Sequence, residues 1–188
     1  MRSLLGGSYA ALGNPAQAIP LQQAARDFYL HDAEFGPEAE VTILGVPDRP
    51  GIAARVFRTL ADVGVNVDMI VQNVSAEGHT DISFTLPKSQ MRRAEEVLDP
   101  LAAEIGARGL AHDPEIAKIS LVGAGMRTHP GVAADMFEAL AEAGINIGII
   151  STSAVRISCI VPAGQVERAV QVVHERFKLH EPAVTAEA

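Results

Sequence analysis

The chain is predicted to adopt an α+β fold of two consecutive βαββαβ units, each an antiparallel sheet with two helices on one face. Three observations carry this prediction. Short β-branched runs alternate with stretches whose apolar residues recur at helical spacing, from Val41 to Phe177. A Pro-Gly turn opens a helical pattern twice, at Pro50-Gly51 and at Pro130-Gly131. Residues 50–67 also align without a gap on residues 130–147, with nine of the eighteen positions identical, among them Ala53/Ala133, Phe57/Phe137, Leu60/Leu140, Gly64/Gly144 and Asn66/Asn146. Self-similarity at a fixed offset of eighty residues is the mark of an internal duplication.

Residues 1–38 carry Gly6, Gly7, Gly13, Pro15, Pro20, Gly36 and Pro37 without sustained periodicity, which predicts a partly ordered N-terminal arm. Within it, residues 21–28 suit two helical turns and Phe28-Tyr29-Leu30 a short strand able to add an edge to a later sheet. Val41–Val46 is a strand closed by Pro47. Asp48 is placed to cap the helix that Pro50-Gly51 opens, whose apolar stripe is Ile52, Ala53, Val56, Phe57 and Leu60. Gly64 sits where a glycine ends a helix. A strand over Val65–Val74, a turn at Glu77-Gly78-His79 and a strand over Asp81–Leu86 come next. After Pro87, Ser89 is expected to cap a helix to about Ile105, and a short strand over Ala107–Leu110 closes the unit.

The second unit repeats the order. Ile119–Gly123 is a strand, Pro130–Ala143 a helix, Ile145–Thr152 and Val155–Val161 strands, and Gly164–Phe177 a helix. The polar tail after Phe177 offers no closing strand. The expected organisation is therefore an arm (1–38), a first unit (39–112), a second unit (113–182) and a tail (183–188). Each unit resembles a ferredoxin-like sandwich. A lone unit of about 70 residues leaves one sheet face and its edges uncovered, so units are expected to pair, within the chain and between chains.

Composition narrows the function. Apolar residues are 48% and charged residues 20% of 188, in the range of globular proteins with a sizeable core. A net charge of −8 argues against nucleic acid, whose phosphates need a basic face. No apolar run approaches the roughly 18 residues that span a membrane, and the segment Met1–Gly7 is too short for a signal peptide, so a cytoplasmic location is expected. Cys159 is the single cysteine, inside a strand-like run, and reads as a buried core residue. The six histidines form no i,i+4 pair, and neither metal nor cofactor is expected. Gly123-Ala124-Gly125 lacks the third glycine of a dinucleotide fingerprint, and no Gly-Lys-Ser/Thr or Gly-x-Ser-x-Gly occurs. Ser151-Thr152-Ser153 has no neighbouring base. No catalytic site is expected in this chain.

The turn Asp48-Arg49-Pro50-Gly51 has two readings. In the plain one, Asp48 satisfies the first N–H groups of a helix. In the functional one, those N–H groups hold the carboxylate of an amino acid, Asp48 pairs with its ammonium, and Gly51 allows close approach. The copies are not equivalent, because Thr128 stands where Asp48 does. One complete site per chain is the natural inference. Val71-Gln72-Asn73 and Ser151-Thr152-Ser153 end the next strands with polar residues, either as solvated ends or as the far wall of such a site.

The strings VTILGVPDRPGIAARVF, GVNVDMIVQNVS, TDISFTLP, KISLVGAGMRTHPGVAADMFEALAEAGINI and IISTSAVRIS resemble the tandem ACT domains of aspartokinase, either its regulatory C-terminal half or its separate β subunit, over about residues 40 to 180. The resemblance implies feedback control of aspartate kinase by threonine, with lysine the second candidate, bound between one ACT unit and another. The family's effector positions fall on Asp48, Arg49, Pro50, Gly51, Ile52, Ala53, Asn66, Gln72, Ala133, Ala134, Asn146, Ile147, Ser153 and Ala154. It also implies homodimerisation through ACT units and a kinase α subunit as partner, with no nucleic acid or membrane. Three positions depart from the family. Gly148 stands where an acidic residue is usual, Ala154 where Glu is, and Ala133 where a hydroxyl residue is common. The alternative function is a free-standing amino-acid-binding module without a kinase partner; a third is a fragment of a full aspartokinase.

Overall fold

The computed structural model describes residues 28–32, 37–73, 78–123 and 131–179. Its strands are β1 (Phe28–Asp32), β2 (Glu38–Pro47), β3 (Asp68–Gln72), β4 (His79–Pro87), β5 (Gly109–Gly123), β6 (Ile150–Thr152) and β7 (Arg156–Pro162). Its helices are α1 (Ile52–Asp62), α2 (Met91–Ile105), α3 (Val132–Glu142) and α4 (Val166–Arg176). By its internal contacts the chain divides into Phe35–Ile116 and a second unit made of Ala117–Ala188 with Met1–Glu34. The expected helical turns at residues 21–28 fall, but for Phe28, outside the described residues.

In the first unit the strand order is β3-β4-β2-β5, with residues 109–116 of β5 pairing β2. The antiparallel register sets Val41 opposite Phe84 and Ile43 opposite Ile82. Strand alternation then sends Ala39, Val41, Ile43, Ile82, Phe84 and Leu86 to one face, where all are buried. Val56 and Leu60 of α1 and Ala94, Leu98, Leu101 and Ile105 of α2 close over them. Phe57 meets Phe84 edge to face at 5.5 Å. Burial of each large side chain stabilises by roughly 1.5–3 kcal/mol, so this face decides the sandwich.

The second unit repeats the plan with order β6-β7-β5-β1. Its core is Ile119 and Leu121 of β5, Met136 and Leu140 of α3, Ile157, Cys159 and Val161 of β7, and Ala169 and Val173 of α4. The fourth strand comes from the arm: β1 runs antiparallel to β5, from Phe28 opposite Gly123 to Asp32 opposite Ile119. The arm thus supplies the edge that no segment after Phe177 was expected to provide.

Four local expectations are corrected. The strands expected at 107–110 and 119–123 are one strand, β5, which runs through Pro114. A register shift opposite Glu38–Glu40 absorbs the proline, which has no N–H to pair, and the Asp113 carboxylate accepts the Glu115 N–H at 2.8 Å. The strands after α1 and α3 start later than Val65 and Ile145. Those two residues still belong to the helix ends: Val65 N–H bonds to Leu60 O and Ile145 N–H to Leu140 O. Ser89 does not cap α2, because it lies inside a 3-10 turn (Lys88–Gln90) and Gln90 occupies the N-cap position. Asp48 does not cap α1 either, because Gly51 occupies the N-cap position there.

Candidate functional site

The turn after β2 is shaped by a bulge between Ile43 and Val46, where Gly45 N–H donates to Asp81 Oδ1 at 2.7 Å. Beyond it, Asp48 N–H donates to Gly78 O at 2.9 Å and Arg49 N–H to Pro47 O at 2.9 Å. Gly51, the N-cap of α1, adopts φ 93° and ψ −16°. Arg55 N–H donates to its carbonyl at 2.9 Å and so opens the helix. Gly131 repeats this before α3, at φ 107° and ψ −16°, with Asp135 N–H on its carbonyl at 2.8 Å. That left-handed backbone favours glycine, which is why both copies carry it.

With glycine in the cap position, no side chain caps either helix. The expectation that Asp48 satisfies the first turn is therefore overturned: the cap has no side chain, and Asp48 stands three residues before it. The Ile52 N–H makes a long contact with Arg49 O at 3.4 Å, and the N–H groups that follow it in the first turn of α1 have no partner within the helix. Asp48, Arg49, Pro50 and Gly51 are all exposed, and a Cβ added at Gly51 would meet no atom within 4 Å. An open helix start carries partial positive charge. Beside an exposed carboxylate, that is a chemistry suited to a zwitterion.

The other predicted residues fall on two sets of positions. In the first unit, Ile52 and Ala53 pack against the core from the first turn of α1. Asn66, exposed in the α1–β3 connection, donates its backbone N–H to Gln90 Oε1 at 2.8 Å. Gln72, exposed, ends β3 opposite Ile82. In the second unit, Ala133 and Ile147 pack against the core, while Ala134 and Asn146 are exposed. Ser153 and Ala154 form the exposed turn between β6 and β7, where Ser153 N–H donates to Arg156 O at 2.7 Å and Val155 N–H to Ser153 Oγ at 3.3 Å. A Cβ at Gly148 would make only ordinary contacts, the nearest with Ile160 Cγ2 at 3.7 Å, so the position does not itself require glycine.

Two features were not anticipated. Ile70 on β3 and Ile150 on β6, eighty residues apart, are among the exposed large apolar residues, at 51% and 46%. Gln90 touches a candidate residue, and the repeated Pro-x-x-Gln of Pro87–Gln90 and Pro162–Gln165 was the available signal for it. A groove of about 340 Å³ between α3 and α4 includes none of the predicted residues. It is the place of a helix-to-helix ion cluster in which Glu142 binds Arg176 at 2.8 Å and holds its guanidinium pKa up. Among the described residues no cluster of three His, Cys, Asp or Glu could hold a metal, and no helix is long and apolar enough to cross a membrane.

Residues 41–100 and 119–177 match the ACT-domain family model, one match per unit and more than half of the chain. The crystal structure of the regulatory subunit of aspartate kinase from Thermus thermophilus is 43% identical, with a TM-score of 0.73, over 82% of this chain and 99% of that one. The chain belongs to the ACT-domain family of aspartokinase regulatory regions. A crystal structure of aspartokinase alpha and beta subunits is similar at 40% identity and TM-score 0.73, covering 80% of this chain and 97% of that chain. Aspartokinase of Mycolicibacterium smegmatis is 48% identical over 163 residues, 86% of this chain. The ACT pair spans 38% of that protein's length.

Proposed function

We propose that this chain is a regulatory amino-acid-binding subunit or region that controls an aspartate kinase by feedback, with threonine as effector and lysine as the second candidate. The observation that carries this reading is the start of α1. Its N–H groups are not taken by a side-chain cap, and the Asp48 carboxylate is exposed three residues away. Helix-start N–H groups suit the ligand carboxylate, and Asp48 suits its ammonium. Arg49, Pro50, Gly51, Ile52, Ala53, Asn66 and Gln72 complete the first set of contacts, and Ala133, Ala134, Asn146, Ile147, Ser153 and Ala154 the second. Lack of carboxylates at Gly148 and Ala154 favours threonine over lysine, whose side-chain ammonium would need one. The kinase partner is supported by the neighbour described as alpha and beta subunits together. Homodimerisation through the ACT units is supported by the exposed isoleucines repeated on β3 and β6. Occupancy changes the kinase only if the ligand prefers one arrangement of paired units.

Calorimetric titration of the chain with threonine and then lysine tests this. Threonine is expected to bind, and Asp48→Ala to weaken it by about tenfold or more, the cost of one charge-assisted hydrogen bond. Binding of neither amino acid, or an Asp48→Ala variant equal to wild type, would refute the reading. Binding without co-purification of a kinase subunit would favour the free-standing module instead.

A further inference from the structure

In the segment from α1 to β3 the helix end, the Asn66 connection and the strand start each place a backbone N–H on a different kind of acceptor. Gly64 N–H donates to Ala61 O and Val65 N–H to Leu60 O, which closes the helix. Met69 N–H donates to the Asp68 carboxylate at 2.8 Å, which opens the strand. Between them, the Asn66 N–H has neither helix nor strand to pair with, and a residue 24 positions away in the chain supplies its acceptor. That acceptor is the side-chain carbonyl of Gln90, at 2.8 Å.

We propose that Gln90 is a positioning residue for the amino-acid effector: its Oε1 holds the Asn66 backbone, and so presents Asn66 to the ligand in one conformation. This rests on the effector reading given above, in which Asn66 is a contact. Gln90 is itself anchored. It closes the 3-10 turn Lys88–Gln90 and is the N-cap of α2, whose next residue, Met91, is buried in the core. A side chain fixed at its base can pin a neighbouring loop, whereas Asn66 sits in a short connection with an exposed side chain. When such a pin is lost, the loop samples other conformations, and apparent affinity falls by the fraction of time the competent one is absent. The largest loss is the net worth of one hydrogen bond, roughly three- to tenfold in Kd.

The test is calorimetric titration of the whole chain with threonine and with lysine, alongside amide hydrogen exchange at Asn66. Gln90→Met keeps the length of the side chain and removes the acceptor; Gln90→Glu keeps an acceptor oxygen. Lys88→Met breaks the 2.6 Å pair with Glu115 on the same 3-10 turn without touching Asn66. Gln90→Met is expected to weaken binding by roughly three- to tenfold and to speed exchange at Asn66 by a similar factor. Gln90→Glu is expected to restore both, and Lys88→Met to leave both unchanged. Wild-type affinity in Gln90→Met, no rescue by Gln90→Glu, or an equal loss in Lys88→Met would overturn the inference while leaving the effector reading intact. Wild-type protein that binds neither amino acid would overturn both.

Discussion

Cys159 sits on β7 with no exposed surface, and burial pushes its thiol up to about 12 from 9.0. The sign of its effect depends on which state releases the proton first. Below about pH 9 both folded and unfolded chains hold it, and nothing is lost. Above that the unfolded chain ionises while the folded one does not, so stability falls with rising pH through the window from about 9 to 12. Relative to Cys159→Val, wild type is expected to lose about 1.4 kcal/mol of unfolding free energy per pH unit in that window, measured by urea titration. Iodoacetamide at pH 8 should label the thiol only after unfolding. The burial of Cys159 was legible from its strand-like run. The freedom of Asp48 was not, because capping depends on φ and ψ at Gly51, and the residue type alone allows either arrangement.

At the scale of elements, the arm shows what periodicity can and cannot say. Phe28-Tyr29-Leu30 reads as a short strand, but its partner is β5, more than ninety residues later in the chain. Nothing local names that partner. The edge of β5 along residues 119–123 is filled because the second unit has otherwise only three strands to cover two helices. Removal of residues 1–34 is therefore expected to destabilise the second unit by on the order of 3 kcal/mol, several net backbone hydrogen bonds. Amide exchange should speed up across residues 119–123 and 156–162, while Val41–Ile43 and Ile82–Phe84 keep their protection. Equal loss in both units would contradict this. Pro114 taught the opposite lesson: a residue that reads as a break lies within one strand, because a bulge next to it removes the need for its missing N–H.

Over the whole molecule, two separate clusters of buried residues carry the fold, one around Phe84 and Leu98 and one around Leu121 and Leu140. Their side chains are fully enclosed, so truncation leaves a cavity rather than a relaxed surface. Leu98→Ala and Leu140→Ala are each expected to cost about 3 kcal/mol. In hydrogen exchange, the loss of protection should stay within the unit that carries the change. Spread of either effect to both units would show a cooperative whole in place of two cores.

By itself the sequence determined the duplication, the alternation of strands and helices, the glycine-led start of α1 and of α3, and the ACT-type strings. Those features are local or repeated: they reflect which face of each element is apolar and which backbone angles only glycine adopts readily. Tertiary structure alone decided that β1 fills the edge of the second unit, that β5 runs unbroken through Pro114, that Asp48 is not a cap, and that Gln90 reaches Asn66. Each of these is a pairing between distant positions or a cap conformation. A hydrogen-bonding group takes whichever partner the packed core brings within reach, and that geometry exists only once the cores have closed.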